Sequence, residues 1–207
     1  AEHQAGVRHF EVGSFLPAKR FPQFADISDV IQHIVDLGAA HGAALALNER
    51  GVEDAIGSGI DEIVCVVSAT EEHSQANMRR SREEALELVT QVCAQRDALA
   101  PGKIVNVGIA MAFGCTIAGQ VLPVDVLQLA EKAFSAGADM VGLADTIGYA
   151  GPAQIKSLCR EITRVNTDAP LVIHLHDTRG MGIANAAAAL ESGVRILDAS
   201  LGGLGGC

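Results

Sequence analysis

The chain has no tryptophan, one tyrosine and six phenylalanines among 207 residues. With aromatics at 3% and hydrophobic residues at 49%, its core has to be built from small aliphatic side chains. That profile suits a tightly packed α/β domain and excludes a disordered or fibrous chain. Basic runs are also missing. A net charge of −10 makes nucleic acid and anionic membrane poor partners. No apolar run reaches membrane-spanning length, and the first residues lack the layout of a signal peptide. No CxxC pair occurs. Five scattered cysteines, Cys65, Cys93, Cys115, Cys159 and Cys207, argue against a disulfide framework and for a reducing, cytoplasmic setting. No glycine-rich phosphate turn follows an early strand, which counts against a doubly wound open sheet. Internal repeats and low-complexity segments are absent.

What is present is regular alternation. Residues 1–6 read as the end of a helix stopped by glycine. Strands are predicted at 7–12, 42–47, 63–67, 104–110, 140–143, 171–176 and 194–199. Helices are predicted at 27–37, 50–58, 82–98, 124–135, 152–165 and 182–192, with 68–81 a long polar loop passing into a helix. A Ser81-Arg-Glu-Glu84 capping box opens the third helix. Seven strands alternating with helices imply right-handed βαβ units and a parallel sheet. The simplest architecture is one α/β domain over 1–207, a (β/α)8 (TIM) barrel with its first strand and C-terminal segment missing from the chain as given.

The stretch Val172-Ile-His-Leu-His-Asp-Thr-Arg-Gly180 carries the most chemistry. Its alternation sends His174 and His176 to one face, about 6–7 Å apart at Cα, from which two imidazoles can converge on a divalent ion. The alternative is a pair of strand histidines bonded within a polar barrel interior. In a barrel the C-terminal strand ends share one mouth. Glu11, Asn48, Ser68, Thr70, Cys115, Asp145, Thr146, His174, His176 and the glycine-rich tail to Cys207 all fall there. Acids, a thiol and a histidine pair around one ring are the parts of a divalent-metal lyase or aldolase. Asn48 reads more simply as a helix cap, Asp145 equally as the start of an Asx turn, and Glu11 as a partner for a nearby cation. Four glycines within Ser200-Leu-Gly-Gly-Leu-Gly-Gly-Cys207 suggest a mobile loop that carries a thiol to the mouth.

Four motifs, Glu11-Val-Gly-Ser-Phe15, Leu143-Ala-Asp-Thr-Ile-Gly148, His174-Leu-His-Asp-Thr-Arg-Gly180 and Asp198-Ala-Ser-Leu-Gly-Gly-Leu-Gly-Gly-Cys207, resemble the 3-hydroxy-3-methylglutaryl-CoA lyase family in order and spacing. The resemblance implies a TIM-like barrel that uses Mg2+ or Mn2+ to cleave an acyl-CoA substrate, hydroxymethylglutaryl-CoA, into acetyl-CoA and acetoacetate. It implies His174 and His176 as metal ligands and Cys207 as the catalytic thiol. Asp145 and Glu11 match active-site acids, with His174 close to the proton transfers, and Ser14 and Thr146 lie at the substrate. Homo-oligomers, dimers or higher, are common in that family. The family's Arg-Asp pair of strand one and the Asn after the cysteine loop, which completes the metal's ligands together with that Asp, have no counterpart here.

Two departures bear on the substrate. After Gly114-Cys115 the family usually carries Pro, an aromatic, Glu and Gly, whereas this chain reads Thr116-Ile-Ala-Gly119; and position 142 is Gly where Ser is frequent. A related lyase acting on citramalyl-CoA or another 3-hydroxyacyl-CoA therefore stays open. So does a Claisen-type acyltransferase using a 2-oxo acid, although such synthases usually follow the histidine pair with Asn-Asp. A barrel retained as a non-catalytic binding module is the third alternative.

Overall fold

Strands with near-continuous apolar runs can be buried on both faces, and the three central strands of this chain, with polar residues at few positions, are of that kind. In the computed structural model, which describes residues 1–203, seven parallel strands form one sheet in sequential order. They are β1 (His9–Ser14), β2 (His41–Leu45), β3 (Glu62–Ser68), β4 (Ile104–Ala110), β5 (Met140–Asp145), β6 (Leu171–Leu175) and β7 (Ile196–Leu197). The helices between them are α1 (Ile27–Asp36), α2 (Glu49–Gly57), α3 (Glu71–Met78), α4 (Arg82–Leu99), α5 (Pro123–Ser135), α6 (Pro152–Val165) and α7 (Gly182–Glu191). Sequential order with every neighbour parallel is the winding of a (β/α)8 barrel, here with seven of its strands.

One set of alternate strand residues faces the helices. Ile63 and Val67 of β3, Val105, Val107 and Ile109 of β4, Val141 and Leu143 of β5 and Ile173 of β6 are fully buried. They join one apolar cluster with Val89, Val92, Leu129, Ile155, Leu158 and Ile162 of the helices. Each such side chain contributes about 1.5–3 kcal/mol. The other set lines the interior and is small at mid-height, with Gly108 opposite Gly142 and Gly142 opposite Val172 in register.

The two ends of the barrel differ. At the N-terminal end Arg96, 6% exposed, ties α4 to its neighbours by donating to the carbonyls of Lys103 (3.1 Å) and Gly137 (2.9 Å) and by pairing with Asp139 and Asp97. His41 and Asn106 flank Glu62 at 3.0 and 2.8 Å. These contacts hold the barrel together. The C-terminal end gathers the histidines and acids singled out in the sequence.

The polar segment read as a loop before the third helix holds α3. This helix has no apolar stripe and depends on its ends: Thr70 caps it by accepting from the His73 amide, Glu71 and Glu72 occupy its first turn, and Arg79 closes it in the left-handed conformation. Residues 1–6 form turns rather than a helix end, and β7 is two residues long where six were expected. The capping box at Ser81 and Glu84 forms, and Asn48 caps α2 by accepting from the Gly51 amide at 2.9 Å.

His73 is 9% exposed, and its Nδ1 lies 3.0 Å from Ser68 Oγ. Burial holds this imidazole below its ordinary value of 6.5. The unfolded chain then takes up a proton near pH 6.5 that the folded chain resists, so this group's share of stability is complete above that pH and lost as pH falls. His73→Phe is expected to flatten the drop in urea midpoint between pH 7 and pH 5. An unchanged slope would show that the ring charges freely in the fold.

Candidate active site

The period-2 alternation of β6 places His174 on the inner face, His176 follows just past the strand's end, and the structure brings the two together. His174 Nε2 lies 3.1 Å from His176 Nε2, with ring centroids 5.1 Å apart. On the opposite side of the first ring, His174 Nδ1 is 3.0 Å from Asp198 Oδ2. Asp198 owes its place to sheet register. Ile173 pairs with Leu197, and the Asp198 amide donates to the Ile173 carbonyl at 3.1 Å, which sets the next residue beside His174.

Glu11, on the inner face of β1, completes the group. Burial and the charge of Asp198 push its carboxyl above the ordinary carboxylate value, while His174 pulls it down. An edge strand can feel residues after β7 only if the sheet curls round on itself, so the barrel mouth gathers Glu11, His174, His176 and Asp198. His174 is raised by its bond to Asp198 against the effect of burial; His176 is lowered by burial and by its neighbour.

The remaining site residues from the sequence take supporting positions. The side chain of Asp145 is fully buried, and it accepts the amides of Tyr149 (3.0 Å) and Ala150 (3.1 Å). Burial pushes its carboxyl up against those donors. Thr146 Oγ1 accepts the Met111 amide at 2.8 Å, where Met111 leaves β4 in the left-handed region at φ 58°. That conformation costs a methionine roughly 1–2 kcal/mol, a strain located at the barrel mouth. Ser14 is buried beside a register shift in β1, and its hydroxyl donates to the Leu45 carbonyl at 3.4 Å. Cys207 lies outside the described residues.

Two residues that the sequence reading passed over matter here. Asp198 stood only at the head of the glycine-rich motif, and its signal, an acid just past the last strand, acquires meaning through the β6–β7 register. Asn106, which lines the interior toward the N-terminal end, below the mouth, is the other. Its amide donates to Glu62, and its Oδ1 is buried without a protein partner. A Cβ on Gly142 would lie 3.8 Å from that oxygen, so the glycine leaves the mid-height of the barrel interior open beside it. Cys115, on the departing loop, accepts from Thr70 Oγ1 (3.3 Å) and from the amides of Ile117 and Ala118 (3.4 Å each). Burial opposes its ionisation, yet these donors hold its thiol below the ordinary value.

Among the described residues no group of three or more His, Cys, Asp or Glu side chains is arranged to hold a metal ion. The histidine pair nonetheless fits a share in one. Two nitrogens bound to one ion at about 2.1 Å each and at right angles stand about 3 Å apart, which is the spacing of the two Nε2 atoms. A carboxylate on the far nitrogen is the usual support for such a ligand. No helix among the described residues is long and apolar enough to cross a membrane.

The HMGL-like family model matches residues 2–207. The (R)-citramalyl-CoA lyase of Chloroflexus aurantiacus is 38% identical over 98% of this chain and 67% of its own length. The hydroxymethylglutaryl-CoA lyase YngG of Bacillus subtilis is 34% identical over 99% of this chain and 68% of its own. A solved HMG-CoA lyase from Acinetobacter baumannii, in complex with coenzyme A and 3-methylmalate, superposes with a TM-score of 0.88 at 32% identity, covering 96% of this chain and 64% of that one. The chain thus spans about two thirds of the length of the relatives it matches. With seven parallel strands in barrel order and a family match over almost its entire length, the chain belongs to the HMGL-like family.

Proposed function

We propose that this chain is the barrel part of a divalent-metal-dependent lyase that cleaves a carbon–carbon bond in a 3-hydroxyacyl-CoA, with hydroxymethylglutaryl-CoA as the substrate and acetyl-CoA and acetoacetate as products. The observation that carries the reading is the convergence of His174 Nε2 and His176 Nε2 at 3.1 Å on the barrel's inner face, supported from behind by Asp198. Mg2+ or Mn2+ held there would polarise the tertiary hydroxyl and a carboxylate of the substrate. His174 and His176 would supply two of its ligands.

The chain's own groups handle the protons. Glu11, on the inner face of β1 with its carboxyl held above the ordinary carboxylate value, is the acid best suited to exchange the hydroxyl proton. Asp145, spent on two backbone amides, orients the loop between β5 and α6 rather than transferring protons. Loss of the hydroxyl proton lets the carbon–carbon bond break to a ketone and a thioester enolate. The enolate carbon then takes a proton, the role that the resemblance gives to the Cys207 thiol.

A second reading keeps this chemistry and changes the acyl group to citramalyl. It is favoured by the 38% identity to a citramalyl-CoA lyase over 98% of the chain. A homo-oligomeric assembly belongs to either reading.

The test is a coupled assay with both thioesters in Mg2+ and in EDTA, run also on Cys207→Ala. Acetoacetate released only with metal, and lost by orders of magnitude in the variant, supports the first reading. Metal-dependent pyruvate release from citramalyl-CoA with a higher kcat/KM moves the assignment to the second. Cleavage of neither substrate overturns both.

A further inference from the structure

The pair formed by His174 and Asp198 is too exposed to be explained by stability. The side chains are 46% and 42% exposed, and an ion pair in such a setting contributes less than about 1 kcal/mol. Its geometry is nevertheless well fixed. The histidine is held by a strand, and the aspartate by the backbone bond from its amide to Ile173 rather than by a free loop. Asp198 meets the imidazole at Nδ1, while the edge shared with His176 is at Nε2. The carboxylate therefore lies behind the ring, remote from the point where the two Nε2 atoms converge, and is not placed to share a ligand there.

We propose that Asp198 is a positioning residue that fixes His174 in its Nδ1–H tautomer and turns its bare Nε2 toward His176. The argument is one of proton count. A neutral imidazole carries a single N–H, and an ionised carboxylate can only accept. A 3.0 Å contact from Asp198 Oδ2 places that proton on Nδ1, so Nε2 is left with its lone pair. The 3.1 Å contact between the two rings is then donated by His176 Nε2–H into His174 Nε2. The same lone pair is what a cation would need, and in this respect the assignment rests on the metal reading above. The hydrogen bond also fixes the ring's rotation. A ligand that must be turned into place binds more weakly than one already held, and loss of such a support typically costs 10–100-fold in metal affinity.

Asp198→Asn tests this with little change of shape. Its amide can donate to Nδ1, which would move the proton to Nε2. Long-range 1H–15N spectra of the metal-free protein at alkaline pH, where both imidazoles are neutral, read the tautomer directly. Wild type is expected as Nδ1–H at His174, Asp198→Asn as Nε2–H, and Asp198→Glu as a partial return to Nδ1–H. In parallel, Mn2+ titration followed by electron paramagnetic resonance is expected to show Kd raised by about 10–100-fold in Asp198→Asn. A His174 tautomer unchanged between wild type and Asp198→Asn overturns the assignment of Asp198, whatever the metal does. Mn2+ held no better by wild type than by His174→Ala overturns the metal reading, and it does so without touching the tautomer result. A circular dichroism melt within a few degrees of wild type separates both outcomes from simple unfolding.

Discussion

His174→Ala is expected to leave the fold standing and to lower kcat/KM by on the order of 10³-fold, about 4 kcal/mol of transition-state stabilisation. The stability half of this expectation follows from burial. The core of β6 is Leu171, Val172 and Ile173, whereas the His174 side chain is 46% exposed and touches mainly His176 and Asp198. Removing a side chain of that kind usually shifts stability by no more than roughly 0.5–1 kcal/mol. The activity half follows from what the alanine deletes: one of two converging nitrogens, and with it the ring that Asp198 supports. His176→Ala should behave alike in the assay and in Mn2+ retention, because a single remaining imidazole has no partner at the same point. The measurements are kcat/KM at saturating Mg2+ and the urea midpoint of the same preparations. Activity within a factor of ten of wild type in both variants would remove the histidine pair from the chemistry. A large fall in urea midpoint would instead make them core residues, the alternative that the sequence leaves open.

How far the sequence could be read follows from which interactions are local. Alternation of apolar strands with capped helices depends on residues a few positions apart, so the parallel barrel, the capping box at Ser81 and the helix starts at Pro123 and Pro152 were legible. The α3 helix was not, because it lacks an apolar stripe and is held by its cap and first-turn acids, which also occur in loops. β7 shrank because apolar residues at 194–199 signal burial, while a strand needs a ladder, and among the described residues its ladder with β6 reaches only Ile196 and Leu197. In the site, His174 and His176 were legible from a two-residue period. Asp198 was not, since its relation to His174 passes through the register of two strands more than twenty residues apart. Asp145 shows the opposite limit. Its motif marked an acid at the mouth, but whether a carboxylate faces a substrate or its own loop is decided by the turn that follows, and here Tyr149 and Ala150 turn their amides onto it.

That turn is also where a single added methyl group should do the most damage. Gly148 has φ +65°, and a Cβ built on it would stand 2.6 Å from Thr178 Oγ1, 2.7 Å from Thr178 Cβ and 2.8 Å from the Thr178 amide nitrogen. A flexible side chain could turn away, but a backbone nitrogen cannot move alone. Thr178 follows Asp177, which caps the Gly182 amide at the start of α7 at 2.6 Å. The two loops are fastened further by Arg179 Nη1 donating to the Tyr149 carbonyl (3.1 Å) and by buried Asn185 donating to that of Ala150 (3.0 Å). Gly148→Ala must therefore separate the β5–α6 loop from the β6–α7 loop, and with it disturb His176, two residues before the clash. The left-handed backbone costs alanine about 1 kcal/mol and the overlap about 1–3 more, roughly 2–4 kcal/mol in all. For a domain of this size that is a fall in Tm of about 5–15 °C, with turnover lost well below the new Tm. Gly180→Ala is the control. It lies in the facing β6–α7 loop at φ +69°, but nothing is within 4 Å of its Cβ, so it should lose only the backbone share, about 1 kcal/mol, and keep its activity. If the two variants melt together and turn over alike, loop contact plays no part in holding the histidines, and their convergence is the work of β6 and Asp198 alone.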